Sequence, residues 1–153
     1  MKTTRRYGKK ADLALTMWVK LARAATTFGH MTGENIRSFG LTQPQFGALE
    51  CLGHLGPMTI GELCRKHLVS GGNMTVVVDN LQKEGYVERI PSPTDRRSVL
   101  VQLTPKGRKL FESIFSEHAR FITSLAGVLS EPEQKELSRL LKKLGTSLAK
   151  GAM

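Results

Sequence analysis

Apolar residues recur every three or four positions along most of this chain, and capping residues, glycines and prolines punctuate the runs. That period predicts amphipathic helices. Leu13, Met17, Leu21, Ala25 and Phe28 share one face, widened by Ala14 and Trp18, so a helix is expected over 11–30. Gly29 and Gly33 loosen its end, and a shorter helical piece is expected from Glu34 to Phe39, stopping at Gly40. Thr42 and Gln45 then form a capping box, with Leu41 and Phe46 as its hydrophobic staple. Phe46, Leu49 and Leu52 face inward until Gly53, Gly56 and Pro57 end the element.

The next stretch organises the rest. Thr59 and Glu62 make a second capping box, Met58 and Leu63 a second staple, and Ile60, Leu63 and Leu68 a buried stripe. Ser70-Gly71-Gly72 is a turn and a new helix start. Met74, Val77, Val78 and Leu81 follow at helical spacing, and Gly85 stops that helix as a left-handed residue would. Its opposite face holds Gly72, Thr75, Val76, Asp79 and Lys83, small at the N-terminal end. Such a helix can lie close against something grooved. The period then changes. Tyr86–Ile90 and Ser98–Leu103 read as strands around a turn made by Pro91, Pro93 and Asp95. Arg96 and Arg97 at the tip of a hairpin serve no core.

Thr104 caps a long helix with Pro105 at its first position, where the missing N–H costs nothing. Leu110, Phe111, Ile114, Phe115, Phe121, Ile122, Leu125 and Leu129 give it a broad stripe. Ser130 and Glu133 open the last helix, with Leu137, Leu140, Leu141, Leu144 and Leu148 spaced by threes and fours. The expected fold is mainly α with a small β-hairpin. Its first and last helices carry more apolar surface than one small domain can cover, so they pack either on each other within the chain or on a second copy.

Composition narrows the function. With 153 residues, 40% of them hydrophobic, the chain builds one core. No apolar run reaches bilayer length and the N-terminus lacks an apolar leader, so no membrane partner and a cytoplasmic location are expected. The net charge of +10 suggests a polyanion. Its distribution agrees: Lys2, Arg5, Arg6, Lys9 and Lys10 form a basic arm over 1–10, read as flexible, and Arg96 and Arg97 sit on the hairpin. Four histidines, His30, His54, His67 and His118, fall in separate segments; His54 and His67 flank the helix from Thr59 at a spacing that matches no metal motif and suit surface or capping roles. No metal motif, catalytic signature or phosphate-cradling loop occurs, so neither an enzyme nor a cofactor is expected. Cys51 and Cys64 sit in helical patterns beside Leu52 and Leu63 and read as small buried hydrophobes. A redox switch would need an exposed, acidified thiolate.

Thr59–Leu110 resembles the winged helix-turn-helix of the MarR family of bacterial transcription regulators. Asp95-Arg96-Arg97 followed by Val99-Leu100-Val101-Gln102-Leu103-Thr104-Pro105-Lys106-Gly107 is similar to that family's D-x-R…L-T-x-x-G wing signature. Ser70-Gly71-Gly72-Asn73-Met74-Thr75 resembles the S-G-G-N-[IM]-T opening of one branch. The resemblance implies a winged helix-turn-helix core (42–104) flanked by N- and C-terminal dimerisation helices (11–30, 105–129 and 130–149), all within one domain over 11–149. It also implies a homodimeric repressor of a pseudo-palindromic operator.

The helix from Gly71 would then enter the major groove of double-stranded DNA by its N-terminal end. Ser70, Gly71 and Gly72 lie where backbone N–H groups meet a phosphate. Asn73 suits adenine, or a local helix-start cap, and Thr75 suits a thymine methyl. Where many family members have arginine this chain has Val76, which favours an apolar thymine contact. By resemblance Arg97 enters the minor groove with Asp95 holding it in position, while Arg96, Lys83, Arg65 and Lys66 are phosphate candidates. The resemblance further implies release by a small aromatic or oxidative signal. The candidate pocket is Trp18, Phe28, His30, Met31, Phe39 and Phe46, and the branch includes regulators that respond to quinones and catechol-like compounds. Two rival readings share the scaffold. One is a cysteine redox switch, although the oxidation-sensing branch carries its cysteine in the N-terminal helix, where this chain has none. The other is a winged-helix protein-interaction module without DNA function.

Overall fold

The computed structural model describes residues 7–67, 71–95 and 97–151. Among them run α1 (Lys9–Ser38), α2 (Gln43–Leu55), α3 (Ile60–His67), α4 (Gly71–Lys83), β1 (Val87–Pro91), β2 (Val99–Leu103), α5 (Pro105–Ala126) and α6 (Glu131–Gly151). Two compact units divide the chain, 1–118 and 119–153.

The first unit is built on the expected caps. Thr42 and Gln45 close a reciprocal box at α2. At α3 the Glu62 carboxylate accepts the Thr59 N–H at 2.8 Å while the Thr59 hydroxyl accepts the Glu62 N–H at 3.2 Å. Leu49, Leu52, Leu63, Met74, Val78, Leu81, Val87 and Val101 are the large side chains sealed in the core. Burying each is worth roughly 1.5–3 kcal/mol. Gly85 adopts φ +76°, and the Tyr86 N–H reaches back to the Leu81 carbonyl at 2.9 Å, which ends α4 as its sequence indicates.

Three features differ from the sequence reading. First, α1 is one helix of 30 residues, so the helix expected over 11–30 and the piece from Glu34 to Phe39 are continuous. A helical glycine costs about 1 kcal/mol relative to alanine. Here Gly33 is buried where an added Cβ would fall 2.9 Å from Nε2 of Gln43, and Ile36 beyond it anchors in the core, so packing overrides propensity. The helix also begins at Lys9, which removes Lys9 and Lys10 from the basic arm; residues 1–6 of that arm lie outside the described residues. Second, Gly53 does not end α2 but lies inside it, where an added Cβ would fall 2.5 Å from the Phe111 ring. Third, the hairpin has a further neighbour. β1 and β2 pair antiparallel from Val87 with Leu103 to Pro91 with Val99. Met58, just before α3, exchanges both backbone hydrogen bonds with Val101 at 3.1 and 2.8 Å.

In the second unit, Gln134 donates from Nε2 to the carbonyls of Ala126 and Leu129, at 3.2 and 3.0 Å, satisfying the exposed end of α5. Both the N–H and the hydroxyl of Ser130 donate to the Glu133 carboxylate, so this third cap is one-sided. Leu137, Leu140, Leu141 and Leu148 of α6 are exposed.

Gly107 explains the glycine of the L-T-x-x-G pattern. The Thr104 hydroxyl donates to the Gly85 carbonyl at 2.6 Å and accepts the Gly107 N–H at 3.0 Å, which draws the first turn of α5 onto the backbone of Tyr86. A Cβ at Gly107 would stand 1.9 Å from the Tyr86 carbonyl oxygen, a backbone atom that cannot swing away. Gly107→Ala is expected to cost roughly 1–3 kcal/mol or more. Urea unfolding checks this; a parental midpoint would mean that α5 and Tyr86 are not held together.

Candidate nucleic-acid interface

Helix α4 buries Met74, Val77, Val78 and Leu81, and helical geometry turns the residues between them outward. Asn73, Thr75, Asn80 and Lys83 are exposed, and Val76 is 58% exposed. Gly71 and Gly72 form the first turn, so Asn73 sits inside that turn rather than at the cap. Ser70 and Arg96 lie outside the described residues. A face with one large apolar residue and short polar neighbours can approach a groove without steric hindrance.

The hairpin tip is closed by short polar side chains. Ser92 is buried, and its hydroxyl accepts the N–H groups of Thr94 and Asp95 at 3.4 and 3.3 Å. Across the turn the Ser92 N–H donates to the Ser98 carbonyl, and the Ser98 N–H to the Asp95 carbonyl, both at 2.9 Å. The Asp95 carboxylate accepts the Ser98 hydroxyl at 2.7 Å and the Arg97 N–H at 3.0 Å. These two bonds, the hydroxyl first, hold the Asp95 carboxyl below the ordinary aspartate range. Asp95 thus fixes Arg97 through its backbone. Arg97 itself is exposed beside these bonds.

One residue of this surface was not singled out by the sequence. Arg89 of β1 donates from Nη2 to Oδ1 of Asp79 on α4 at 2.6 Å, and from Nη1 to Oε1 of Gln82. The signal was faint: a charge inside an alternating strand, ten residues after an acid on a helix face.

The six candidate pocket residues are only partly brought together. Trp18 is 60% exposed, and Phe28, His30 and Met31 also lie on the exposed surface of α1. Phe39 and Phe46 instead enter a row of rings at the core's edge, with centroids 6.5 Å apart. Phe46 lies 4.6 Å from His118, His118 lies 6.5 Å from Phe115, and His54 meets Phe115 and Phe111 edge-on at 4.4 and 5.0 Å. His118 Nδ1 is 2.7 Å from Oδ1 of Asn35, which ties α5 to α1. The sequence carried a signal for His118, since it continues the spacing of Phe111, Ile114 and Phe115 along the α5 stripe.

Cys51 and Cys64 are half-buried against the core. Burial, and then the Glu50 charge, raise the Cys51 thiol above its ordinary value, opposite to the shift a reactive thiolate requires. Among the described residues no group of histidines, cysteines and carboxylates could hold a metal ion, and no helix is long and apolar enough to cross a membrane.

Comparison with known proteins agrees with this geometry. Residues 41–99 match the pattern of the MarR family. The HTH-type transcriptional regulator MhqR of Bacillus subtilis is 35% identical over 134 residues, 88% of this chain and 92% of that protein. Wild-type MarR from E. coli in its apo form superposes with a TM-score of 0.68 at 29% identity, over 81% of this chain and 93% of that one. A MarR mutant from E. coli, complexed with operator DNA, gives 0.74 at 27% identity, over 87% and 96%.

Burial pushes the His118 imidazole below its ordinary value of 6.5, against a smaller opposing effect of Glu50. The unfolded chain therefore binds the proton more readily. Stability contributed by His118 is complete above pH 6.5 and is lost as the pH falls through the lower midpoint of the folded state. An NMR titration should place that midpoint below 6.5; a midpoint at or above it would mean that the ring is not held against Phe46.

Proposed function

Because the chain belongs to the MarR family, DNA-binding transcription regulators that typically act as dimers, we propose that it is a homodimeric repressor of a pseudo-palindromic operator. The observation that carries the reading is the pairing of two exposed features on one core: the face of α4 and the hairpin tip bearing Arg97.

In this reading the N-terminal end of α4 enters the major groove. The N–H groups of Gly71 and Gly72, beside Ser70, meet a phosphate where the helix dipole favours an anion. Asn73 reads adenine, and Thr75 and Val76 pack on thymine methyls. The absence of arginine at Val76 shifts preference away from guanine. Arg97 enters the minor groove, where a narrow A·T tract concentrates negative potential. Arg96 and Lys83 contact phosphates. The exposed apolar residues Leu13, Met17 and Trp18 of α1, and Leu137, Leu140 and Leu141 of α6, are each covered by the second copy. A small aromatic or oxidative signal releases the operator. Its support is the likeness of Ser70–Thr75 to the quinone-responsive branch, together with the ring row that reaches α1 through Asn35 and His118.

Arg97→Ala tests the wing. Losing a good groove contact should weaken operator binding by roughly 1–3 kcal/mol while leaving the melting curve unchanged, because the tip is exposed. Equal affinity in variant and parent would remove the minor-groove role, and binding to no duplex at all would favour a protein-interaction module.

Salt dependence tests the electrostatics. About three to five phosphate contacts per subunit imply roughly six to ten per dimer, hence a slope of log K against log salt of about −5 to −9. Deleting residues 1–6 removes Lys2, Arg5 and Arg6 from each subunit. The slope should become shallower by about two units with sequence preference retained, since phosphate contacts position and do not specify. An unchanged slope would leave the wing and α4 as the whole electrostatic footprint.

A further inference from the structure

Asp79 poses a problem for the proposed interface. It sits on the α4 surface one turn beyond Thr75 and Val76, with its side chain 46% exposed. A bare carboxylate there would repel phosphates. Arg89 answers it from the neighbouring strand. Its side chain is 29% exposed and its guanidinium forks, one nitrogen on Asp79 at 2.6 Å and the other on Gln82 one turn further along. Asp79, Gln82, Lys83 and Arg89 together line a shallow depression beside the helix.

The fork also has a mechanical consequence. Arg89 pairs with Val101 in the hairpin, and the same two strands run out to the tip that carries Arg97. The route from α4 to β1 along the chain is the short turn Glu84-Gly85-Tyr86. The Arg89 fork is a second, side-chain tie between the same elements, and two attachments resist rotation that one alone permits. A planar, two-pronged guanidinium suits this better than a lysine, which offers a point charge.

We propose that Arg89 is a positioning residue for DNA binding: held by Asp79 and Gln82, it sets the angle between the wing and the recognition helix and neutralises the carboxylate on the DNA-facing side. The proposal rests on the DNA-binding reading above. It differs from a direct phosphate contact by Arg89, because it acts through Asp79.

A double-mutant cycle separates the two. Parent, Arg89→Ala, Asp79→Ala and the double variant are titrated, below their melting temperatures, with an operator duplex selected by the parent from a random pool. Arg89→Ala, which breaks the tie and leaves Asp79 bare, should lose about tenfold in affinity, Asp79→Ala somewhat less, and the double variant about tenfold in all rather than the product of the two, because the second change breaks a tie already broken. Arg89→Lys should fall between parent and Arg89→Ala. Losses that multiply, or an Arg89→Ala variant equal to the parent, would overturn the proposal. Amide exchange without DNA reads the tie independently of the operator. Faster exchange across Val87–Pro91 and Val99–Leu103 in either single variant supports it, and unchanged exchange overturns it. A parent that selects no duplex refutes the DNA reading instead, and the exchange result then decides the tie alone.

Discussion

The backbone N–H and C=O of Val101 are both hydrogen-bonded to Met58 in front of α3, Val101 stands opposite Arg89 of β1 in the hairpin, and its side chain is fully buried. The rest of the interface depends on this strand. Met58 is the staple residue of the α3 cap, so the strand joins the start of the helix-turn-helix to the wing. Behind it, Gly107 lets α5 close on Tyr86 with no side chain between. The consequence is a wing whose base is bonded to the core. A two-stranded hairpin is marginal by itself in water. Here a third backbone segment and the buried side chains of Val87 and Val101 stabilise it.

The division of labour follows from where charge lies. The outward face of α4 carries Lys83 at its far end, and its acid Asp79 is matched by Arg89. Short polar and apolar groups occupy the end nearest the groove. In the proposed complex, affinity comes mostly from phosphate contacts at the α4 N-terminus, the wing and the basic arm, with the α4 face reading bases through Asn73, Thr75 and Val76. This is the usual separation between contacts that position a protein on DNA and contacts that read the bases. It also explains why the tip is so heavily bonded. Arg97 is exposed, and in the proposed minor-groove contact the bonds from Asp95 and Ser92 reduce the entropy its approach would cost.

Local signals were legible in the sequence. The boxes at Thr42 and Thr59, the left-handed Gly85, the buried stripe of α4 and the hairpin all follow from short-range chemistry. What escaped depends on distant partners. Gly29 and Gly33 look like a helix end until Gln43 and the anchoring of Ile36 are known. Gly53 looks like a terminator until the Phe111 ring is seen to need its space. The Met58–Val101 bridge and the Asp79–Arg89 pair join segments whose spacing has no period. The aromatic residues divided for the same reason. Phe39 and Phe46 meet through tertiary packing, whereas helical spacing alone groups Trp18, Phe28 and Met31, which stay on the surface.

The central claim is that two copies of this chain present α4 and the wing to DNA with two-fold symmetry. Sequencing duplexes enriched by the full-length protein from a random pool tests it most directly. The expected result is an inverted repeat whose half-site centres lie about one helical turn apart, roughly 10 base pairs, with A·T pairs flanking each half-site where the wing enters. Enrichment of a single asymmetric site, or no enrichment above the starting pool, would contradict it.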